Sequence, residues 1–334
     1  MIKVAINGFG RIGRLAFREL LVNPNFKVVA INDLSTPEEL AYLLKYDTNH
    51  RSFHENIISF NEKNIIINDS LFFPVYKETD PHNLPWFDLD VDVVLECSGH
   101  YTKYEDAYKH IEAGAKKVLI SAPGKGNMKT IVYGVNEDTL DGSEKIISAA
   151  SCTTNCLAPM LKVINDHYQI KQGFMSTIHA YTNDQATLDI AHKKGIYARR
   201  GRACAANIVP ASTGAASAIG EVIPSLKGKM DGIAYRVPVS DGSLVDCTLI
   251  LGNRTTKEDI NNTLMANKSK VLGVTNDPIV SSDVIGKSTG CLVDLLSTNV
   301  LDVEGHQIVK LVAWYDNEYG YTCQMLRTLG CLFK

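Results

Sequence analysis

The stretch Ile2-Lys3-Val4-Ala5-Ile6-Asn7-Gly8-Phe9-Gly10-Arg11-Ile12-Gly13 decides the fold. An apolar, β-branched run of strand length ends on G-x-G-x-x-G, and the apolar spacing over residues 11–21 is helical. In a strand–turn–helix of this kind Gly8 makes the tight turn, Gly10 lets the backbone approach a pyrophosphate, and Gly13 lets helix and strand pack closely. Arg11 and Ile12 open the helix, whose N-terminal N–H groups and dipole face the phosphates. The next strand-like run, residues 27–31, leads to Asp33, at the distance where an acid accepts hydrogen bonds from a ribose diol. A carboxylate there suits the free 2′-hydroxyl of NAD and repels the 2′-phosphate of NADP.

Outward from this loop, strand-like runs at 2–6, 27–31, 91–96 and 117–120 alternate with helical patterns at 11–21, 37–44 and 103–113. That order predicts an α/β fold with a Rossmann-type, doubly wound parallel sheet. Residues 57–76 read as short antiparallel strands appended to it. After about residue 150 the strand runs lengthen, at 174–180, 232–239, 244–251, 290–296 and 308–314, and more often alternate with polar residues. With helical patterns at 156–168, 214–222 and 257–269, this half predicts an α+β domain with a mostly antiparallel sheet covered on one face. The final segment carries Met325, Leu326, Leu329 and Leu332 at helical spacing and is expected to return to the first domain. The expected organisation is an NAD-binding domain of residues 1–150 and 317–334, and a catalytic domain of residues 151–316.

Composition narrows the class of function. The 334 residues, with 45% hydrophobic and 21% charged, are those of a globular chain able to bury a core without crosslinks. A net charge of −3 offers no global basic field, so nucleic acid is not an expected partner. No apolar stretch is long enough to span a bilayer and no secretory leader is recognisable, which predicts a cytoplasmic protein. The eight cysteines lack the density of a disulfide scaffold and are expected reduced.

One of them stands apart. In Ser151-Cys152-Thr153-Thr154-Asn155-Cys156, Ser151 is a fitting N-cap for a helix running to Tyr168, which puts Cys152 in the first turn. There the helix dipole and free amides favour a thiolate. A helix over 152–168 rises about 24 Å, and an extended return over 172–179 covers about 23 Å, so an antiparallel return brings His179 beside Cys152. A thiol with an imidazole neighbour is a nucleophile with its base. In a chain that also holds a two-electron acceptor, addition of that thiol to an aldehyde and oxidation of the adduct to a thioester is coherent chemistry. Cys156 could suggest a metal pair, but the spacing is not that of a zinc site and no second Cys/His pair follows, so no metal is expected.

The segments Ile6–Arg14, Ser151–Cys156, Tyr181-Thr182-Asn183-Asp184-Gln185 and Trp314-Tyr315-Asp316-Asn317-Glu318 together resemble the phosphorylating glyceraldehyde-3-phosphate dehydrogenase family over essentially the whole chain. The resemblance implies oxidation of glyceraldehyde 3-phosphate by NAD, with inorganic phosphate as second substrate, in a cytosolic homotetramer. It implies Cys152 as nucleophile and His179 as base. Thr182 and Arg236 match the substrate-phosphate site. Ser151, Thr153, Thr213, Gly214 and Arg200 match the site for attacking phosphate, with Arg199 and Arg202 as neighbouring alternatives to Arg200. For the cofactor it implies Ser121, Asn317 as the residue holding the nicotinamide carboxamide, and Tyr321 near the ring, beside the loop residues and Asp33.

Three departures from the family pattern stand out: Arg51 where glycine is usual, Ala191 where proline is frequent near the adenosine ribose, and a slightly long 193–200 segment. Two other readings share these motifs. An erythrose-4-phosphate dehydrogenase has the same nucleophile, base and loop but hydrolyses its thioester, and the cluster of phosphate-type donors argues against it. A surface-binding protein that had lost the chemistry has no need of an intact Cys152–His179 pair.

Overall fold

In the computed structural model, which describes residues 1–53, 57–195 and 197–333, the opening run forms β1 (Ile2–Asn7) and the glycine loop leads into α1 (Arg11–Leu21). Then follow β2 (Phe26–Asn32), α2 (Pro37–Lys45), β3 (Ile58–Phe60), β4 (Asn64–Ile67), β5 (Leu71–Tyr76), β6 (Val93–Glu96), α3 (Tyr104–Glu112), β7 (Lys117–Ile120), β8 (Lys129–Thr130) and β9 (Ile146–Ser148). The chain continues with α4 (Cys152–Tyr168), β10 (Ile170–Ala180), β11 (Val209–Ser212), α5 (Ala215–Val222), β12 (Met230–Val237), β13 (Ser243–Leu251) and α6 (Lys257–Ala266). It ends with β14 (Leu272–Thr275), β15 (Cys291–Asp294), β16 (Asn299–Val303), β17 (His306–Tyr315) and α7 (Tyr319–Cys331). Ile196, in the 193–200 segment, lies outside the described residues.

Two compact units result: Met1–Ile131 with Glu137–Ala150 and Met325–Lys334, and Val132–Asn136 with Ser151–Gln324. The first holds a nine-stranded sheet in the order β3-β4-β5-β2-β1-β6-β7-β9-β8. Its pairings are parallel from β5 through β8 and antiparallel only between β3, β4 and β5. The short strands of 57–76 are therefore part of this sheet, because β5 pairs in parallel with β2. Strand alternation fills both faces: Val4 and Ile6 join one core cluster with Phe17 and Leu20, while Ala5 joins another with Trp86 and Val94.

The second unit holds an eight-stranded sheet in the order β11-β12-β10-β13-β17-β15-β14, with β16 on β17. Only β10–β12 and β14–β15 are parallel. The helix α4, with Leu157, Met160, Leu161 and Ile164 fully buried, packs on β10, β13, β15 and β17.

The C-terminal return begins at Met325 rather than at Asn317. Asp316 caps the start of α7, its Oδ1 accepting from the N–H groups of Glu318 (2.9 Å) and Tyr319 (2.7 Å), which ties those residues to the end of β17. Gln324 donates to Tyr133 O (3.3 Å) within the second unit, whereas Met325, Leu329 and Leu332 enter the first unit's core, with Leu326 and Phe333 packed against it. Among the described residues no helix is long and apolar enough to cross a membrane.

Candidate active site

In the first unit, a cavity of about 510 Å³ opens at the carboxyl ends of β1, β2 and β6, lined among others by Gly8, Gly10, Asp33, Leu34, Cys97 and Ser98. The glycines are sterically required at two of its corners. Gly8 has φ +91, and a Cβ there would sit 2.5 Å from Ser98 N; a Cβ on Gly13 would sit 2.1 Å from Gly8 O. Gly10 has open space where its Cβ would be, a surface a diphosphate can approach, and α1 begins there without a side-chain cap or an acid in its first turn. Asp33 accepts from Phe9 N–H (2.8 Å) and Ser35 N–H (2.9 Å), so the carboxylate holds the glycine loop while lining the cavity. These residues fit a dinucleotide.

Not every residue expected at the cofactor faces this cavity. The Arg11 guanidinium is paired bidentately with Asp47, so attraction for phosphate comes from the loop backbone. Ile12 packs against the apolar core. Ser121 follows β7, its N–H donating to Glu96 O (2.9 Å) and its side chain bonding Cys97, which lines the cavity.

In the second unit, Ser151 caps α4: its Oγ accepts from Thr154 N–H at 3.0 Å. Cys152 is the first residue of the helix, and its Sγ lies 3.4 Å from His179 Nε2 near the end of β10. His179 Nδ1 stands 2.7 Å from Ala180 O, which can only accept, and 2.9 Å from Arg236 Nη1, which can only donate; in the tautomer that donates Nδ1–H to Ala180 O, Nε2 turns its lone pair to the thiol. Burial, and then the Arg236 charge, push the His179 imidazole down to about 3. Burial also raises the Cys152 thiol, against the pull of Arg236, Thr153 and the helix N–H groups. Burial of the thiol thus opposes the lowering expected from the helix dipole.

A cationic cluster adjoins the pair. Arg236 Nη1 is 2.9 Å from His179 Nδ1 and donates to Ala180 O (3.0 Å) and Thr182 Oγ1 (3.3 Å). Thr182 in turn donates to Asp184, and Asp184 pairs with Arg200. Although burial of Asp184 works the other way, Thr182 and the two arginines hold its carboxyl below the usual range. Of the three neighbouring arginines, Arg200 is the one tied to this cluster, whereas Arg202 pairs with Asp189 at an exposed position.

Thr153 differs from expectation: its hydroxyl points into the unit's interior, 2.9 Å from Tyr315 OH, which is 2.8 Å from Thr177 Oγ1. Only its backbone N–H is left for an anion at the helix start. Thr213 accepts from Ala215 N–H (3.2 Å), and Gly214 opens α5, which packs on α4; among the described residues neither is hydrogen-bonded to the Cys152–His179 pair. Asn317 Oδ1 accepts from Ser243 Oγ (2.6 Å), and Tyr321 is buried on α7. Tyr315, Asp184 and Ser243 join the site without being expected from sequence: the first two sit inside the segments 314–318 and 181–185, and Ser243 carries no local signal.

Comparison with known proteins agrees with this chemistry. Residues 2–104 match the family model described as glyceraldehyde 3-phosphate dehydrogenase, NAD binding domain, and residues 151–317 match the corresponding C-terminal domain. Among curated relatives, the glyceraldehyde-3-phosphate dehydrogenase of Clostridium pasteurianum is 54% identical over 334 residues, covering 100% of this chain and 99% of that protein. The protein of the same name from Clostridium acetobutylicum is 53% identical over 334 residues with the same coverage. The one from Streptococcus pyogenes is 51% identical over 335 residues, again covering 100% of this chain and 99% of that protein.

Proposed function

We propose how its own residues act from the premise that the chain belongs to the glyceraldehyde-3-phosphate dehydrogenase family, as an NAD-dependent oxidoreductase of glycolysis. The observation that carries the reading is Cys152 Sγ at 3.4 Å from His179 Nε2, at a helix N-terminus beside Arg236.

Cys152 adds to the aldehyde carbon of glyceraldehyde 3-phosphate. The S–C bond forms, the carbonyl π-pair moves to oxygen, and the thiol proton passes through His179 Nε2 to that oxygen, giving a hemithioacetal. His179 then removes the hydroxyl proton of the adduct. Bound NAD supplies the electron-pair acceptor that makes oxidation to the thioester possible. Inorganic phosphate attacks the thioester carbon, the C–S bond breaks, and the proton held by His179 returns to the leaving sulfur, releasing 1,3-bisphosphoglycerate.

Thr182 and Arg236 bind one phosphate, and Arg200, the α4 N-terminal residues Ser151 and Thr153, and Thr213 with Gly214 bind the other. Charge-assisted bonds from the arginines supply the affinity that an overall charge of −3 does not. Gly8, Gly10, Gly13 and Asp33 hold the dinucleotide, with Arg11 and Ile12 contributing backbone and Ser121 acting through Cys97. Asn317 would hold the nicotinamide carboxamide, and Tyr321 would lie near the ring. The first unit is the NAD-binding domain and the second the catalytic domain.

A homotetramer fits the exposed apolar positions Phe174, Ile233, Ile250 and Ile308, all on strands of the second sheet. A cytoplasmic location fits eight free cysteines. The test is NADH formation at 340 nm from glyceraldehyde 3-phosphate, with NAD or NADP, with and without phosphate. Sustained turnover only with NAD and phosphate together is expected. Equal steady rates without phosphate contradict the reading and favour thioester hydrolysis.

A further inference from the structure

Ser243, at the start of β13 and 1% exposed, touches neither thiol nor imidazole, yet its hydroxyl joins two parts of the proposed machinery. It lies 3.1 Å from Ala180 N and 2.6 Å from Asn317 Oδ1. The direction of both bonds is fixed by proton counting. Asn317 Oδ1 has no proton, so Ser243 donates its only one there, and the Ala180 N–H can only donate to the serine oxygen. The carbonyl of that same Ala180 lies 2.7 Å from His179 Nδ1 and accepts from Arg236 Nη1 (3.0 Å). Among the described residues, Asn317 Nδ2 has no hydrogen-bond partner, so pinning Oδ1 to Ser243 leaves the amide with one free donor group of fixed orientation.

We propose that Ser243 is a positioning residue that fixes the orientation of the Asn317 carboxamide and, through the backbone of Ala180, the ring of His179. One hydroxyl thereby ensures that Asn317 presents N–H, not C=O, to a ligand, and that Nε2 faces Cys152. The part concerning Asn317 rests on the reading that this residue meets the nicotinamide.

The experiment compares Ser243→Ala, Asn317→Ala and the double variant. It uses two readouts that need no turnover: NAD affinity by calorimetry, and the rate of iodoacetamide labelling of Cys152 in the cofactor-free protein. Loss of one hydrogen bond of this kind predicts about tenfold weaker NAD binding in Ser243→Ala. In the Asn317→Ala background the same serine substitution is expected to change NAD affinity less than twofold, because its route to the ligand is gone. Labelling slows severalfold in Ser243→Ala and in the double variant alike, since that effect runs through Ala180. An undiminished loss of NAD affinity on removing Ser243 from Asn317→Ala overturns the orienting role, and unchanged labelling in Ser243→Ala overturns the His179 arm. If Asn317→Ala alone binds NAD normally, the fault lies in the assignment of Asn317 to the nicotinamide.

Discussion

Replacing Tyr315 by phenylalanine removes a single oxygen, and the structure dictates what that costs. Thr177 Oγ1 donates to Leu244 O (3.0 Å), so it must accept from Tyr315 O–H (2.8 Å), and the tyrosine oxygen must accept from Thr153 O–H (2.9 Å). The protons therefore run one way, Thr153 to Tyr315 to Thr177 to Leu244, with all three hydroxyl-bearing residues buried. Tyr315→Phe strands the Thr153 donor and one lone pair of Thr177, and stranded buried groups of this kind cost about 1–3 kcal/mol. Thr153→Val instead removes the donor and leaves the Tyr315–Thr177–Leu244 bonds intact, so its loss should be nearer the lower end of that range. Thr153 neighbours Cys152 in the first turn of α4, so the same variant loosens the nucleophile. Chemical denaturation at fixed protein concentration, with iodoacetamide labelling of Cys152 alongside, measures both effects. Tyr315→Phe is expected to be the less stable of the two variants and to label severalfold more slowly than the parent protein. A Tyr315→Phe protein within roughly 0.5 kcal/mol of the parent, the scatter of a neutral surface change, and with normal labelling, refutes the proton ordering.

Three other outcomes are expected. His179 is neutral in the folded chain down to about 3, whereas the unfolded chain binds that proton near pH 6.5, so its depressed proton affinity destabilises the fold as pH falls through this window. The slope is up to about 1.4 kcal/mol per pH unit for this one group, and a His179→Asn variant should show a flatter acid limb in denaturant melts. Arg200→Ala should raise the KM for one of the two phosphate-bearing substrates at least tenfold, while Arg202→Ala, which breaks only an exposed pair with Asp189, should leave both within twofold. Arg51 has φ 64, a left-handed backbone that explains why the family pattern favours glycine there. Arg51→Gly is accordingly expected to raise stability by about 1 kcal/mol in thermal melts, and a fall would contradict the strain.

What was legible in the sequence was what is local in the chain. The glycine loop between β1 and α1, Asp33 at the end of β2 and Cys152 behind its Ser151 cap are each defined within a few residues. His179 was reachable because one helix and one returning strand separate it from Cys152, and their lengths nearly cancel. The short strands β8, β9, β11, β14 and β16 escaped notice because two to five residues cannot establish a period. Side-chain commitments over long separations were equally hidden. Arg11 meets Asp47 and Thr153 meets Tyr315 only once the sheets have formed. Burial of the thiol, which opposes the helix dipole at Cys152, is likewise a property of the packed site rather than of the motif.

The central claim, that Cys152 carries the acyl group between oxidation and phosphorolysis, is tested most directly by intact-mass and peptide mass spectrometry after one turnover with NAD and glyceraldehyde 3-phosphate but no phosphate. One phosphoglyceroyl group per chain, on Cys152 and none of the other seven cysteines, that is lost on adding phosphate is the predicted result. An unmodified Cys152 with NADH formed, or an acyl group on another residue, would contradict it.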